Sequence, residues 1–238
     1  MNRQAQALVM VLFGGAVLKA SLTDTYLRYV KEGLRPFLIV AGGLLVAAAA
    51  MTLYYEFRPA RSAMTGDDGH GHHEPRVGWL LILPAVGLLL IAPPALGSYA
   101  AGQTGTVLAA APADSEFPPL PPGDPVPLGL MEYASRAVYD EGRSLTGRTL
   151  RLTGFVITGP DGRPMLARMV LACCAADGRP IKVGLTGGVG VDAPADTWIQ
   201  AVGVYSDRVE KDPVNEAEVP YFEVTSWQRI ESPRRPYE

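Results

Sequence analysis

PFLIVAGGLLVAAAAMTLYY, residues 36–55, is an uncharged and mostly apolar run in a chain of 238 residues. A helix of about twenty residues is long enough to cross the apolar core of a bilayer. The run therefore predicts a transmembrane helix. It also predicts that the chain is a membrane protein, whose number of crossings depends on the apolar runs on either side.

Two further apolar runs flank this segment. The first, AQALVMVLFGGAVLKASL at residues 5–22, meets Lys19 and lacks a clear cleavage site, which favours a retained helix over a signal peptide. The other, GWLLILPAVGLLLIAPPALGSYA, starts at Gly78, and its prolines must kink it or end it early. We therefore expect about three spans within residues 1–100.

The distribution of positive charge indicates the orientation. The short loops carry nearly equal numbers of Lys and Arg on the two sides, but residues 77–135 contain acidic residues and neither Lys nor Arg. Because positively charged flanks stay in the cytoplasm, this long flank predicts an extracytoplasmic C-terminal domain and a cytoplasmic N-terminus. We expect a multi-pass protein of the cell membrane.

The composition changes after the third run. Residues 101–127 are rich in Ala, Pro and Gly, which predicts a semi-rigid linker. LGLMEYASRAVYDEG, residues 128–142, has apolar residues at helical spacing and predicts a short helix. The chain then holds five strand-like runs separated by turns: TLRLTGFVIT, PMLARMVLACC, PIKVGLTG, TWIQAVGVYS and YFEVTSWQRI.

Five strand-like runs in one short region favour a small closed barrel. Gly154 and Gly203 fall within strands, where glycine is typical of a bulge or a sharp coil of the sheet. We expect residues 128–238 to form an all-β domain like an OB-fold, preceded by one short helix, with a small open sandwich as the alternative. The whole chain would join this domain to a helical membrane part.

Both cysteines of the chain lie side by side in LACCAADG, residues 171–178. Neighbouring side chains of an extended strand point to opposite faces, so Cys173 and Cys174 can share one ion only if the backbone bends. The turn-forming residues that follow allow such a bend, and Asp177 is near enough to supply an oxygen ligand or a hydrogen-bond acceptor. Two interpretations of the pair are open. Cys173 and Cys174 are either small side chains that pack in the fold, or thiols with a redox or metal-binding role.

The candidate metals follow from the ligand types. Residues 74–238 contain no histidine, which argues against a Cys–His zinc site and against a Cys–His catalytic dyad. Thiolates from Cys173 and Cys174, with thioethers from Met165 and Met169, favour Cu(I) or Zn(II). Zinc and copper are therefore the candidate metals. No residue pattern predicts a catalytic group, and we do not expect an enzyme.

All three histidines lie in one polar loop, residues 56–77, between the second and third apolar runs. His70, His72 and His73 stand between acidic residues in TGDDGHGHHEP and can recruit a divalent transition metal. A solvated loop without a metal is the alternative. On the topology above this loop is cytoplasmic, so a bilayer would separate it from the cysteine pair.

The chain resembles the YcgQ-type family of bacterial membrane proteins, which are described as subunits of a two-component membrane permease complex. The resemblance rests on YLRYVKEGLRPFLIVAGGLL, on a histidine-bearing loop, and on C-C-x-A-D at Cys173, Cys174, Ala176 and Asp177. LTGFV near Gly154, and DTW at residues 196–198 followed by Gly203, add to it. The resemblance implies a multi-pass permease as partner, and it supplies no catalytic residue.

We therefore expect an accessory subunit of a membrane transport complex. Its external barrel would dock on the permease or handle its substrate, with a metal ion as one candidate, and its partners would be the permease and the lipid bilayer. The formal net charge of -3 is too mild to predict nucleic-acid binding. A membrane-anchored thiol redox protein or soft-metal chaperone that uses the cysteine pair is the alternative, and a purely structural docking module is a third.

Overall fold

The computed structural model of the chain describes residues 3–57, 86–87, 93–108 and 117–238. The chain divides into two compact units. The first comprises residues 1–26 and 31–93, and the second comprises residues 27–30 and 94–238. The short segment Leu27–Val30, between the first two helices, therefore belongs to the same unit as the C-terminal residues.

The first unit contains two helices. Helix α1 spans Arg3–Leu22 and helix α2 spans Arg35–Phe57. Gly14 and Gly42 lie where the two helices meet: a Cβ atom added to Gly14 would lie 2.9 Å from a methyl carbon of Val46 and 3.0 Å from the carbonyl oxygen of Gly42. Small residues at such a crossing let two apolar helices approach closely.

Among the described residues, one helix is long and apolar enough to cross a membrane. It is α2 with the turn before it, Glu32–Glu56, which has a mean hydropathy of 2.2. The apolar part of α1, Gln6–Leu22, is shorter. Most of the third predicted span, residues 78–100, lies outside the described residues. Its last residues begin a short helix, α3 (Ser98–Gln103), in the second unit.

The second unit is built around a closed barrel of five strands. The barrel strands are β2 (Leu150–Thr158), β3 (Pro164–Val170), β4 (Arg179–Thr186), β5 (Trp198–Lys211) and β6 (Glu218–Arg229). A short edge strand, β1 (Val126–Pro127), precedes them. Strand β2 pairs antiparallel with both β3 and β5, which closes the barrel in the order β2-β3-β4-β6-β5. Strands β4 and β6 pair in parallel, as do β1 and β2. The predicted barrel is confirmed, and the arrangement is consistent with an OB-like fold.

The predicted short helix before the barrel is confirmed, and it packs against the strands. Helix α4 spans Leu130–Tyr139 and contacts β2, β4, β5 and β6. Leu130, Tyr133 and Ala134 of its apolar face are fully buried in the main core. The Tyr133 hydroxyl donates a hydrogen bond to the carbonyl oxygen of Tyr221, which satisfies the one polar atom of that buried ring.

A second core lies on the other side of β3. It contains Ala101 of α3 together with Phe155, Met165, Ala167 and Met169. Because side chains alternate along a strand, the two methionines of β3 share one face, and that face is buried in this second core. Residues of α3 therefore contribute to the barrel unit and cover one of its faces.

The described residues of the predicted linker also pack on the barrel. Val126 is buried in the main core, and Leu120 packs against it. Arg136 of α4 donates a hydrogen bond of 2.9 Å to the carbonyl oxygen of Pro118. The sequence predicted a spacer here because proline and alanine dominate. The few large apolar side chains between the prolines help to fix the described part of the segment to the barrel, together with this hydrogen bond.

A buried ion pair holds the first part of the same segment. Lys182 of β4 and Asp212, just after β5, are both buried, and Lys182 Nζ lies 2.8 Å from Asp212 Oδ2. The same carboxylate oxygen accepts a hydrogen bond of 2.9 Å from the backbone N–H of Thr106. Residues 104–108 are therefore tied to the barrel by a buried charged group.

Candidate functional site

The two cysteines lie on the loop that joins β3 to β4. Strand β3 ends at Val170, earlier than predicted, and a short 3-10 turn forms at Ala175–Asp177. Cys173 is exposed, Cys174 is half-buried, and both are free thiols. The interpretation of Cys173 as a small buried side chain in the core therefore does not hold.

Asp177 shapes this loop through its carboxylate. Its Oδ1 accepts a hydrogen bond of 2.8 Å from the backbone N–H of Ala172. Its Oδ2 accepts bonds of 2.8 Å and 3.1 Å from the N–H groups of Cys173 and Cys174. Three successive amides that point at one side chain cannot belong to a regular strand, so the backbone bends here. A bend at this place is what Cys173 and Cys174 need in order to share one ion.

The bend brings three potential ligand groups together. The sulfur atoms of Cys173 and Cys174 and a carboxylate oxygen of Asp177 all lie within 4.8 Å of one another. It is the one group of this kind found among the residues that the structure describes. The predicted constellation of two thiols and one carboxylate is therefore brought together in space.

The electrostatics of the site couple the thiol to the carboxylate. The Cys173 thiol donates a hydrogen bond to Asp177, and this bond, with a weaker effect from Cys174, raises the pKa of Cys173 to about 11. The same thiol and the three backbone N–H groups hold the pKa of Asp177 well below its usual value. Cys173 is therefore a neutral thiol at physiological pH, beside an ionised carboxylate.

Alkylation of Cys173 is therefore expected to be slow at neutral pH although the side chain is exposed. In a Cys174→Ser variant, the iodoacetamide rate should rise about tenfold per pH unit between about pH 7 and pH 10, because only the thiolate reacts. Adding Asp177→Asn removes the anionic acceptor that favours the protonated thiol, so the rate at about pH 8 should increase. A rate as high as that of free cysteine before this second change would contradict the raised pKa.

Other predicted ligands are not part of this cluster. Met165 and Met169 are buried in the second core, so their thioethers are engaged in packing. The separate histidine group, His70, His72 and His73, lies outside the described residues. The site as the structure presents it is a pair of sulfur atoms with one carboxylate.

The site has a further neighbour that was not predicted from the sequence. Val30, from the segment between α1 and α2, forms an antiparallel β-bridge with Cys174. The backbone N–H of Ala175 donates a hydrogen bond of 2.7 Å to the carbonyl oxygen of Tyr29. These are backbone contacts between distant parts of the chain, and no local pattern of residue types signals them.

This arrangement is suited to binding a soft cation. Deprotonation of the thiols would present two thiolates on one side of a short loop, and loss of the Cys173 proton would free one lone pair of Asp177. Thiolates select Cu(I) and Zn(II) over hard cations such as Mg²⁺. Because Cys173 is exposed, a cation held here would keep open coordination positions toward solvent or another protein.

One family model matches this part of the chain. The family is described as the DUF1980 C-terminal domain, and the match covers residues 131–238, which include helix α4 from its second residue, all five barrel strands and the cysteine loop. No curated protein and no solved structure matches the chain. Residues 131–238 are therefore similar to a family that is defined by its sequence and not by an activity.

Proposed function

We propose that this chain is a membrane-anchored accessory subunit of a transport complex, and that its barrel binds a soft metal cation at Cys173 and Cys174. The observation that carries the proposal is the bend of the backbone around Asp177, which brings both sulfur atoms and a carboxylate oxygen within 4.8 Å of one another. Zinc and copper are the proposed cations. We propose no catalytic residue.

The path of the chain supports the proposed three membrane spans. The chain leaves the barrel unit after Val30, continues into the apolar helix Glu32–Glu56, and rejoins the unit at Pro94. If that helix crosses a bilayer, the chain must cross back between residues 57 and 93, which contain most of the third apolar run. The barrel is then extracytoplasmic if the N-terminus is cytoplasmic, as the charge distribution favours.

The proposed partner is a multi-pass permease in the same membrane. The apolar runs of this chain carry few polar groups, whereas transport pathways through a bilayer are lined by buried polar or ionisable side chains. The chain would therefore supply a cation-binding domain outside the bilayer, and the permease would supply the pathway. The resemblance to subunits of two-component permease complexes agrees with this division.

A thiol redox role for the same cysteines has less support. A nucleophilic cysteine needs a thiolate at neutral pH, and such residues have lowered pKa values. Cys173 has the opposite perturbation, since its hydrogen bond to Asp177 raises its pKa to about 11. A cation can displace the thiol proton, whereas a redox thiol at this position would react slowly. A soft-metal chaperone would bind its cation at the same cluster of Cys173, Cys174 and Asp177.

Cation binding tests the proposal directly. Purified full-length protein in detergent, with reductant present, is expected to bind about one Cu(I) or Zn(II) in competition with a chelator of known affinity. The Cys173→Ser/Cys174→Ser variant should lose more affinity than the roughly 10–100-fold that loss of an outer-shell partner costs. The loss of affinity in Asp177→Asn should fall within that range, because Asp177 positions the two sulfur atoms.

A second variant separates the two predicted metal sites. Replacing His70, His72 and His73 together by asparagine is the matched control, and it should leave the affinity of the cysteine site unchanged. Equal cation affinity of the native chain and the double cysteine variant would contradict the proposal. Unchanged circular dichroism of each variant is needed to show that the barrel is still folded.

Partnership is tested in native membranes. We expect the full-length chain to co-purify with a multi-pass membrane protein, and the double cysteine variant to retain that partner while losing the cation. If the double variant also supports full cation transport in cells, the barrel is a structural docking module and the cysteines have no part in its function.

A further inference from the structure

The segment Leu27–Val30 is held against the cysteine loop by its backbone. Val30 pairs with Cys174 in an antiparallel bridge, and the carbonyl oxygen of Tyr29 accepts a hydrogen bond of 2.7 Å from Ala175. The pairing therefore includes one of the two cysteines themselves and the residue that follows it.

A tyrosine fixes the same segment on its other side. The Tyr237 hydroxyl donates a hydrogen bond of 2.7 Å to the carbonyl oxygen of Arg28 and accepts one of 2.9 Å from the backbone N–H of Leu96. Tyr237 also lies beside Met169 of β3 through a parallel bridge. The segment is thus held by backbone contacts, and the side chain of Leu27 is buried. Residues 23–26 and 31–34 connect it to α1 and α2.

From this pairing we infer that the cysteine site is a ligand-dependent latch: a cation bound by Cys173 and Cys174 stabilises the docked position of Leu27–Val30. The inference rests on the proposed function, because it needs a cation at the thiols. It adds that the bound state of the site is communicated along the chain to the residues that begin α2.

The physical reason is that Cys174 takes part in both interactions. Its backbone forms the bridge to Val30, and its sulfur would hold the cation together with Cys173. An isolated bridge between two short segments has little stability of its own in water. Fixing the Cys174 side chain on a cation restricts its backbone, so the bridge costs less conformational entropy to form.

Thermodynamic reciprocity gives the inference a second consequence. If the cation favours the docked segment, the docked segment must raise the affinity for the cation by the same factor. Couplings of this kind between two sites typically lie between about fivefold and 150-fold. A change in Leu27–Val30 that removes the pairing should therefore weaken cation binding, although it removes no ligand atom.

Trypsin provides the readout on the full-length protein. It cleaves after Arg28 and Lys31, whose side chains are exposed, but productive cleavage requires the docked backbone to detach. Adding saturating Zn²⁺ or Cu(I) to the native chain in detergent is expected to slow cleavage at these two sites by at least about fivefold. Cleavage after Arg143, whose side chain is 72% exposed, serves as the internal reference and should not change.

Three variants test the link between the docked segment and cation binding. Val30→Pro should weaken Zn²⁺ or Cu(I) binding by about fivefold or more. Gly33→Ala is the matched control in the same connection, since an added Cβ there meets no atom within 4 Å, and its affinity should equal that of the native chain. Tyr237→Phe removes the contacts with Arg28 and Leu96 without touching the cysteine loop, and it should speed cleavage with and without cation.

The outcomes separate the latch from the proposed function. If the native chain binds the cation but cleavage after Arg28 and Lys31 stays constant or accelerates, the latch is wrong and the cation site stands. If the native chain binds neither Zn²⁺ nor Cu(I), both proposals fail. If Cys173→Ser/Cys174→Ser shows the same cation-dependent protection as the native chain, the protection arises elsewhere and the latch is wrong.

Discussion

Replacing Asp212 with asparagine is expected to destabilise the barrel by about 3–5 kcal/mol, because the change leaves a buried ammonium group without its counter-ion. Lys182 and Asp212 expose 8% and 0% of their side chains, and their charged atoms lie 2.8 Å apart. Asparagine keeps the size of the side chain but not its charge. The carboxylate also accepts hydrogen bonds from the backbone N–H groups of Thr106 and Val214, so two further segments lose an anionic acceptor.

Thermal unfolding of the full-length protein in detergent measures this effect, with the near-UV circular dichroism of the barrel aromatics as the signal. A loss of this size should lower Tm by about 10 °C or more for a domain as small as this barrel. Asp207→Asn is the matched control, because Asp207 is an exposed carboxylate on the same strand, β5, and should change stability by less than about 0.5 kcal/mol. Equal Tm values for the two variants would show that the ion pair contributes no net stability.

The pH dependence of this effect has a definite sign. Burial alone would raise the pKa of Asp212, but hydrogen bonds from Lys182 and from the N–H groups of Val214 and Thr106 lower it below its usual value. A carboxyl group with a lowered pKa contributes stability above its unfolded value of about 3.9, and that contribution is lost as the pH falls through the folded pKa. The difference in the free energy of unfolding between the native chain and Asp212→Asn should therefore be largest at about pH 6–8 and become smaller below about pH 4.

The barrel could be predicted from the sequence because its strands are short runs with period-2 or β-branched character that are separated by turns. Helical spacing located α4. The packing of Leu120 and Val126 could not be predicted in the same way. They are isolated apolar residues between prolines, and only the folded structure shows that they contact the main core.

The geometry of the cysteine site could be predicted only in part from the sequence. Alternation along β3 is correct through Met169 and, if extended, places Cys173 on the buried face. Cys173 is exposed because Asp177 gathers three amides and turns the backbone out of the strand. The sequence shows that an acceptor stands near the thiols, but the number of amides it accepts is a property of the backbone path. The bridge from Val30 to Cys174 depends on long-range packing and leaves no trace in local residue types.

Gly203→Ala is expected to cause the other large loss of stability, about 1–3 kcal/mol, through steric overlap. A Cβ atom on Gly203 would overlap the carbonyl oxygen of Glu223 on β6. That oxygen is a backbone atom of a paired strand and cannot rotate away as a side chain would. The overlap falls where the pairing of β5 and β6 shifts register between Val202 and Gly203, so the methyl group opposes the coil that closes the barrel.

Gly188→Ala is the control for this second substitution. Gly188 is exposed and an added Cβ there meets no atom within 4 Å, so its unfolding free energy should stay close to that of the native chain. Both glycines lose the same backbone entropy when replaced, and the difference between them therefore reports the close approach of β5 to β6. If Gly203→Ala unfolds at the same temperature as Gly188→Ala, the two strands can separate without cost, and glycine at this position is not what allows the barrel to close.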